Sequence, residues 1–266
     1  LTLDGLALRP DGPTLSLSVR AGEAVAIMGP ARSGRSGLLK ACAGRERPVR
    51  GRVAAAGEFA VAGETTGARR LRVAAAARAT GHPKSSDLLA LFDLWESRND
   101  AVSDLASGQR AAVDLLDPLL GGCPLLAIDG HLDRLDPWAH TVAWDALRTA
   151  RESGAAALIV TDRPETAALC DTVVVLRDRA VRFAGSVEAL RRLGPPHALT
   201  VTTERQIGVR ALVSPFEVTI EEVSEGLRME AREGQELAAR LLREGYGDVR
   251  FLVSRAPTVE EGLQSL

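Results

Sequence analysis

Lysine is nearly missing from this chain. It occurs only at Lys40 and Lys84, so all but two of the 33 basic residues are arginine. A bias that strong points to drift in nucleotide composition, which lowers the weight of any single arginine found in place of lysine. Aromatic residues make up only 3% of the chain, and none precedes Phe59. With a net charge of −2, there is neither a basic stripe interleaved with stacking rings nor a bulk attraction to polyanions, so no nucleic-acid partner is expected. The three cysteines, at 42, 123 and 170, form neither a metal-ligand spacing nor an even disulfide framework, and fit a reducing cytoplasm. No run approaches the roughly 18 apolar residues of a spanning helix, and Leu1 opens no signal-peptide pattern. The expectation is a soluble chain that reaches a membrane only through a partner.

What is present is a core-forming chain of 266 residues, 45% of them hydrophobic, enough for one large core or one core with a smaller neighbour. It is organised around Glu23–Gly44. The run Glu23–Met28 has strand length, breaks at Gly29-Pro30, and after Arg35-Ser36 becomes helical through Leu38, Leu39 and Cys42. Two half-exposed strands precede it, carrying Leu1, Leu3, Leu6 and Leu8, then Leu15, Leu17 and Val19. Beyond it, residues 45–66 read as short strands and turns. Arg69–Ala79 reads as a helix ended by His82-Pro83, and Ser85-Ser86-Asp87 as the cap of a helix carrying Leu88, Leu89, Leu91 and Phe92. Helices at 111–120, 137–151 and 164–170 alternate with buried strands at 125–129, 155–160 and 172–176, with a further strand at 180–183. Buried strands alternating with helices imply an α/β fold with a largely parallel sheet covered on both faces. Gly194-Pro195-Pro196 is the best linker. It divides the chain into an expected domain at 1–193 and a small α+β domain at 194–266, with strands at 199–203, 216–220 and 249–253 and helices at 235–243 and 259–266.

Strand, glycine-containing loop and helix is the geometry in which backbone N–H groups and a helix N-terminus cradle an anion. Gly29-Pro-Ala-Arg-Ser-Gly34-Arg35-Ser36 follows the spacing G-x-x-x-x-G-K-[ST] at every position except the lysine, which is Arg35. Read singly, the other landmarks are ordinary. Asp129 suits a strand end, Leu105–Gln109 a loop opening a helix capped by Ser107, Asp136-Pro137 a helix start, and Cys170 a small buried hydrophobe.

Together these segments resemble the ATP-binding cassette (ABC) ATPases, in order and spacing. Ser36–Gly44 is similar to the helix that follows the family's phosphate loop. Leu105-Ala106-Ser107-Gly108-Gln109-Arg110 resembles the L-S-G-G-Q-R signature, and Pro124–Asp129 the Walker B strand. Leu135-Asp136-Pro137 resembles the D-loop, and Cys170–Leu176 with Arg182–Leu190 the closing C-D-R-V…G-T-x-E-E-L. The tail, through Ala256–Leu263, resembles the small C-terminal domain of ABC-2-type exporter ATPase subunits. The resemblance implies a P-loop NTPase cassette with a shortened helical subdomain and a small C-terminal α+β domain. It implies ATP and Mg²⁺ as ligands, with Gly29, Ser33, Gly34, Arg35, Ser36 and Gly37 around the nucleotide and Ser36 with Asp129 on the metal. Ala106, Ser107, Gly108 and Gln109 would be offered across a dimer. The partners implied are another cassette subunit, as a hetero- or homodimer, and a membrane permease that holds the chain at the inner face of the cell membrane.

Several catalytic positions depart from the family pattern. Gly130 stands where the water-polarising glutamate is usual, Asp162 where the switch histidine is usual, and Arg32 where the loop usually has glycine. The first glutamine is Gln109, so the Q-loop glutamine is missing, as is an aromatic ahead of the loop. Arg35 is no equivalent of lysine, because a planar guanidinium is bulkier than a point ammonium. Groups that act as a unit cost orders of magnitude in rate when removed. The expectation is a degenerate cassette, silent beside a competent partner. The competing readings are a slow ATPase using Arg35 with Asp133 or Asp162, and a regulatory scaffold that no longer binds nucleotide.

Overall fold

The chain opens with a hairpin, β1 (Thr2–Ala7) and β2 (Leu15–Ser18), which buries Leu3, Leu6 and Leu15, the pairing breaking register between Leu3 and Leu6. Buried strand β3 (Ala24–Met28) and helix α1 (Arg35–Cys42) follow, then β4 (Arg50–Ala54) and β5 (Phe59–Val61). The computed structural model describes residues 1–64, 72–79, 84–245 and 247–266. The helix expected from Arg69 spans Val73–Ala79 (α2) within the described residues; Arg69, Arg70 and the expected stop at His82-Pro83 lie outside them. Helix α3 covers Ser85–Leu91 and α4 covers Ser107–Leu120. Ser85-Ser86-Asp87 does not cap α3: the helix already includes them, and the residue before it, Lys84, makes no side-chain cap bond.

Helix α4 starts four residues ahead of the expected Ala111, because the polar start escapes an apolar periodicity. There the Gln109 side-chain oxygen accepts from the Ala106 N–H at 3.1 Å, and Ser107 is the first helical residue rather than the cap. Pro118 sits inside α4 and has no N–H to donate to the Asp114 carbonyl; that carbonyl accepts from Gly63 N–H instead, at 3.0 Å.

The alternation continues through β6 (Leu125–Asp129), α5 (Pro137–Glu152), β7 (Ala156–Val160), α6 (Pro164–Ala168), β8 (Thr172–Arg177), β9 (Ala180–Ser186) and α7 (Val187–Arg191). Strands run in the order β5-β6-β7-β3-β8-β9, the first five parallel and β9 antiparallel to β8, while β2-β1-β4 form a separate antiparallel sheet. One apolar core joins the two: Leu3, Leu6 and Leu15 from the small sheet and Ile27, Leu158 and Val174 from the large one cluster with Leu38, Leu39 and Cys42 of α1. That burial holds α1, and with it the loop before it, in place.

The chain divides into two compact units, Leu1–Val187 and Glu188–Leu266. Gly194-Pro195-Pro196 lies inside the second, where the Arg232 guanidinium donates to the Gly194 and Arg192 carbonyls. The second unit comprises β10 (His197–Thr202), α8 (Gln206–Val213), β11 (Val218–Val223), β12 (Gly226–Ala231), α9 (Gly234–Glu244), β13 (Phe251–Arg255) and α10 (Val259–Gln264). Its antiparallel sheet runs β11-β12-β10-β13. Leu199, Val201, Leu227 and Met229 meet Val209, Val213, Leu237 and Leu241 in a core of its own. Among the described residues no helix is long and apolar enough to cross a membrane.

Candidate functional site

Parallel strands bring their carboxyl ends to one edge, and in open α/β sheets ligands bind there. That edge carries Ala62–Glu64 after β5, Asp129-Gly130 after β6, Thr161–Arg163 after β7 and Gly29–Gly34 after β3. Backbone bonds stitch it together: Ala62 N–H to Ala127 O at 2.9 Å, Gly130 N–H to Val160 O at 3.0 Å, and Thr161 N–H to Ile27 O at 3.2 Å.

The loop itself turns at Gly29, where a Cβ would overlap the Leu176 carbonyl, and at Gly34 (φ 98°) just before α1. Arg32 adopts φ 64°, a left-handed conformation that costs a non-glycine residue about 1–2 kcal/mol. Its side chain is exposed. Ser33 is buried, with an unpartnered hydroxyl, and its carbonyl accepts from the Arg179 N–H at 3.1 Å. Sequence reasoning missed Arg179; it lies in the two-residue turn Asp178-Arg179, both at positive φ, joining β8 to β9. Around the loop lies a cavity of about 480 Å³, lined by Arg32–Gly37 and flanked by Leu8, Arg47 and Arg179.

Arg35 does not reach into open space. Its side chain is only 14% exposed, pairs with the Asp162 carboxylate, and donates to the Thr161 carbonyl at 3.3 Å. The two residues that depart from the family pattern at the lysine and histidine positions therefore contact each other. Asp133 is occupied as well: one oxygen accepts from the Thr161 hydroxyl at 2.6 Å and the other from Asp162 N–H at 2.7 Å. The Arg163 guanidinium donates to the Asp133 carbonyl at 2.6 Å. The network fastens the end of β7 to the segment after β6 and occupies both oxygens of Asp133, while Asp162 uses one oxygen on Arg35.

Gly130 has φ 66°, and a Cβ added there would meet nothing within 4 Å, so the backbone, not crowding, disfavours a glutamate at this position. Glu64 forms a two-pronged pair with Arg45, at 2.6 and 2.5 Å. The hydrogen bonds from Arg45 hold its carboxyl below the usual glutamate range. His131 is buried; desolvation, then the Arg134 charge, lowers its pKa against the opposing pull of Asp114 and Asp129. Ala106 and Ser107 are exposed, with Gly108 and Gln109 half-buried. A Cβ at Gly108 would stand 2.9 Å from the Arg134 carbonyl, so this glycine also has a packing role within the chain. Asp136 caps α5, accepting from the N–H groups of Trp138 and Ala139 at 2.9 and 3.0 Å. Burial pushes the Cys42 and Cys170 thiols up to about 12, so both are inert core residues.

Residues 13–131 match the family described as ABC transporter. The lipoprotein-releasing system ATP-binding protein LolD of Paramagnetospirillum magneticum is 30% identical over 192 residues, covering 61% of this chain and 85% of that protein. The chain belongs to the ABC transporter family. Daunorubicin resistance ATP-binding protein DrrA3 of Streptomyces coeruleorubidus is similar over 97% of this chain and 89% of its own length, at 26% identity. ATP-binding cassette sub-family A member 6 of Homo sapiens is 26% identical over 70% of this chain, which spans only 13% of that protein. A solved ATP-binding subunit of an ABC transporter superposes with a TM-score of 0.62 at 24% identity, covering 72% of this chain and 91% of that one. A cassette solved as a post-hydrolysis dimer with ADP and Pi gives 0.60 at 17%, covering 70% and 97%. These likenesses show the cassette fold.

ABC cassettes as a family bind ATP with Mg²⁺. Ser36 and Asp129 are oxygen donors of the kind a hard cation takes, but they line different cavities, Ser36 the one around the loop and Asp129 another beside Glu64 and His131. Mg²⁺ needs only one or two protein ligands beside phosphate and water. Bound there, it would neutralise phosphate charge.

Proposed function

We propose that this chain is the ATP-binding subunit of an ABC transporter of the ABC-2 exporter type, silent at its own site and paired with a competent cassette and a membrane permease. Residues 194–266 would form the small C-terminal domain, and the chain would sit in the cytoplasm against the inner face of the membrane through those partners. Gly29, Ser33, Gly34, Arg35, Ser36 and Gly37 would line a weak nucleotide site with Mg²⁺ on Ser36 and Asp129. Ala106–Gln109 would be offered to the partner's nucleotide. Likeness to DrrA3 along nearly the whole chain supports the exporter reading.

The observation that carries the silent reading is the Arg35–Asp162 pair. A loop cation assists phosphoryl transfer by placing its charge on the β- and γ-phosphates. Here that charge is matched within the chain, so phosphate must compete with Asp162 for it. Gly130 supplies no base, and Asp133 is already bonded through both oxygens. The same pair also favours a second reading, in which the fold persists as a regulatory scaffold without nucleotide.

Thermal unfolding with and without millimolar Mg·ATP, alongside a phosphate-release assay, separates these. The silent reading expects a saturable rise in midpoint without release; a ligand at 100 times its Kd adds about 2.7 kcal/mol. No rise leaves the scaffold. Phosphate release abolished by Asp129→Asn would overturn both in favour of a slow ATPase.

A further inference from the structure

A second cavity, of about 860 Å³, shares no lining residue with the one around the phosphate loop. Small-ligand sites run to about 300–1,000 Å³. Gly37 and Ala41 of α1 face the loop cavity, whereas Leu39 and the cap residue Ala43 face this one from the far side of the helix and Lys40 from its flank. Leu39, Val61 and Val102 give it an apolar wall.

Its cations fall into two classes. Arg45 and Lys40 already meet carboxylates, Glu64 at 2.5 Å and Glu46 at 3.3 Å. Arg110 on α4 and Arg134 after β6 meet none among the described residues. Arg110 Nη1 donates only to the Ser103 carbonyl at 3.2 Å, while Arg134 Nε and Nη2 donate to the Gly130 and Asp129 carbonyls at 3.2 and 3.3 Å. A guanidinium carries five N–H donors in a planar fork shaped for carboxylate or phosphate, and most of these stay open. His131 lies in the same wall, 8% exposed, with its Nδ1 buried and unpartnered. Its Nε2 is 3.7 Å from Asp114 Oδ2, too far for a hydrogen bond. Nδ1 is closed off from the cavity, so His131 belongs to its wall and senses its occupant without being one of its anchors.

We propose that this cavity binds a small organic anion. Arg110 and Arg134 hold its phosphate or carboxylate head, and the apolar wall takes its body, with His131 in the wall beside it. Asp114 and Asp129 also line the cavity, which places the head at the arginines and away from the acids. The occupant bridges α4, which begins with Ser107-Gly108, to the segment leaving Asp129. It thereby couples the signature helix to the metal-side strand, whether or not the phosphate loop holds nucleotide.

The test titrates the full chain, in EDTA, with phenyl phosphate, inorganic phosphate and benzoate, following the His131 ring resonances assigned with His131→Gln. The expected result is a saturable shift, strongest with phenyl phosphate, weakened about tenfold or more by Arg110→Ala and by Arg134→Ala. Arg32→Ala, in the other cavity, leaves it unchanged. Arg110→Gln keeps the aliphatic stem and reads the lost charge in a folded chain. Saturation by benzoate alone assigns a carboxylate head, and saturation by the two phosphates alone a phosphate head. A shift that never saturates, or one that survives both arginine substitutions, overturns the site.

Discussion

At Arg35, which lines the loop cavity, the guanidinium meets Asp162 and the Thr161 carbonyl, and the physical content of that pair is a competition. Asp162 is 71% exposed, so the pair itself adds on the order of 1 kcal/mol to stability, while any phosphate must displace it. Replacing both, Arg35→Lys with Asp162→His, removes the internal anion and restores a compact ammonium. Affinity for Mg·ATP by calorimetry is expected to rise about tenfold, with phosphate release still absent because residue 130 is glycine; unchanged affinity would count against the competition. Three histidines predict a pH effect, the buried His131 described above among them. Burial lowers His140, bonded to Thr166 at 3.2 Å, and His197, bonded to Ser254 at 2.6 Å. A folded pKa below the unfolded value of about 6.5 gives stability that is present above pH 6.5 and lost as pH falls through the folded value. Stability measured by urea unfolding should fall from pH 7 to 5.5, by at most about 1.4 kcal/mol per unit for each proton taken up, and His197→Gln should flatten that slope.

Among the elements, the turn from β3 into α1 is the most constrained. Gly29, at φ 143°, has no room for a Cβ against the Leu176 backbone of β8. Gly29→Ala should cost about 3 kcal/mol or more, or prevent folding, and a urea midpoint close to wild type would show that the turn can shift. The buried strands of the large sheet and α1 were legible from the chain because continuous apolar runs and a helical period have few alternatives. Helix α8 and strand β12 were not: Gln206–Val213 is short, and Gly226–Ala231 alternates Leu227, Met229 and Ala231 with Arg228 and Glu230 in a charged surround. The start of α4 escaped for a related reason, since Gln109 makes a backbone bond that no apolar period records. Of the site, the loop spacing and the departures at Gly130 and Asp162 were legible. The role of Arg179, which touches the loop through its backbone N–H, was not.

For the whole molecule, the two units have separate cores. The fragment 188–266, with its sheet covered by α8 and α9 residues, is expected to unfold cooperatively on its own and to show dispersed amide resonances; a collapsed spectrum would mean that its core depends on the rest of the chain. Composition, hydrophobic period and loop spacing determined by themselves that the chain is an α/β fold with a phosphate-type loop, and the order of its motifs carried the resemblance to the cassettes, because burial and backbone geometry are local demands that each segment meets with its own residues. Only the tertiary structure decided where the charges go. Arg35 and Asp162 are 127 residues apart, and Arg110 and Arg134 stand on separate elements of one cavity wall. Pairing of charges depends on distance in space and on desolvation, neither of which is written in sequence spacing.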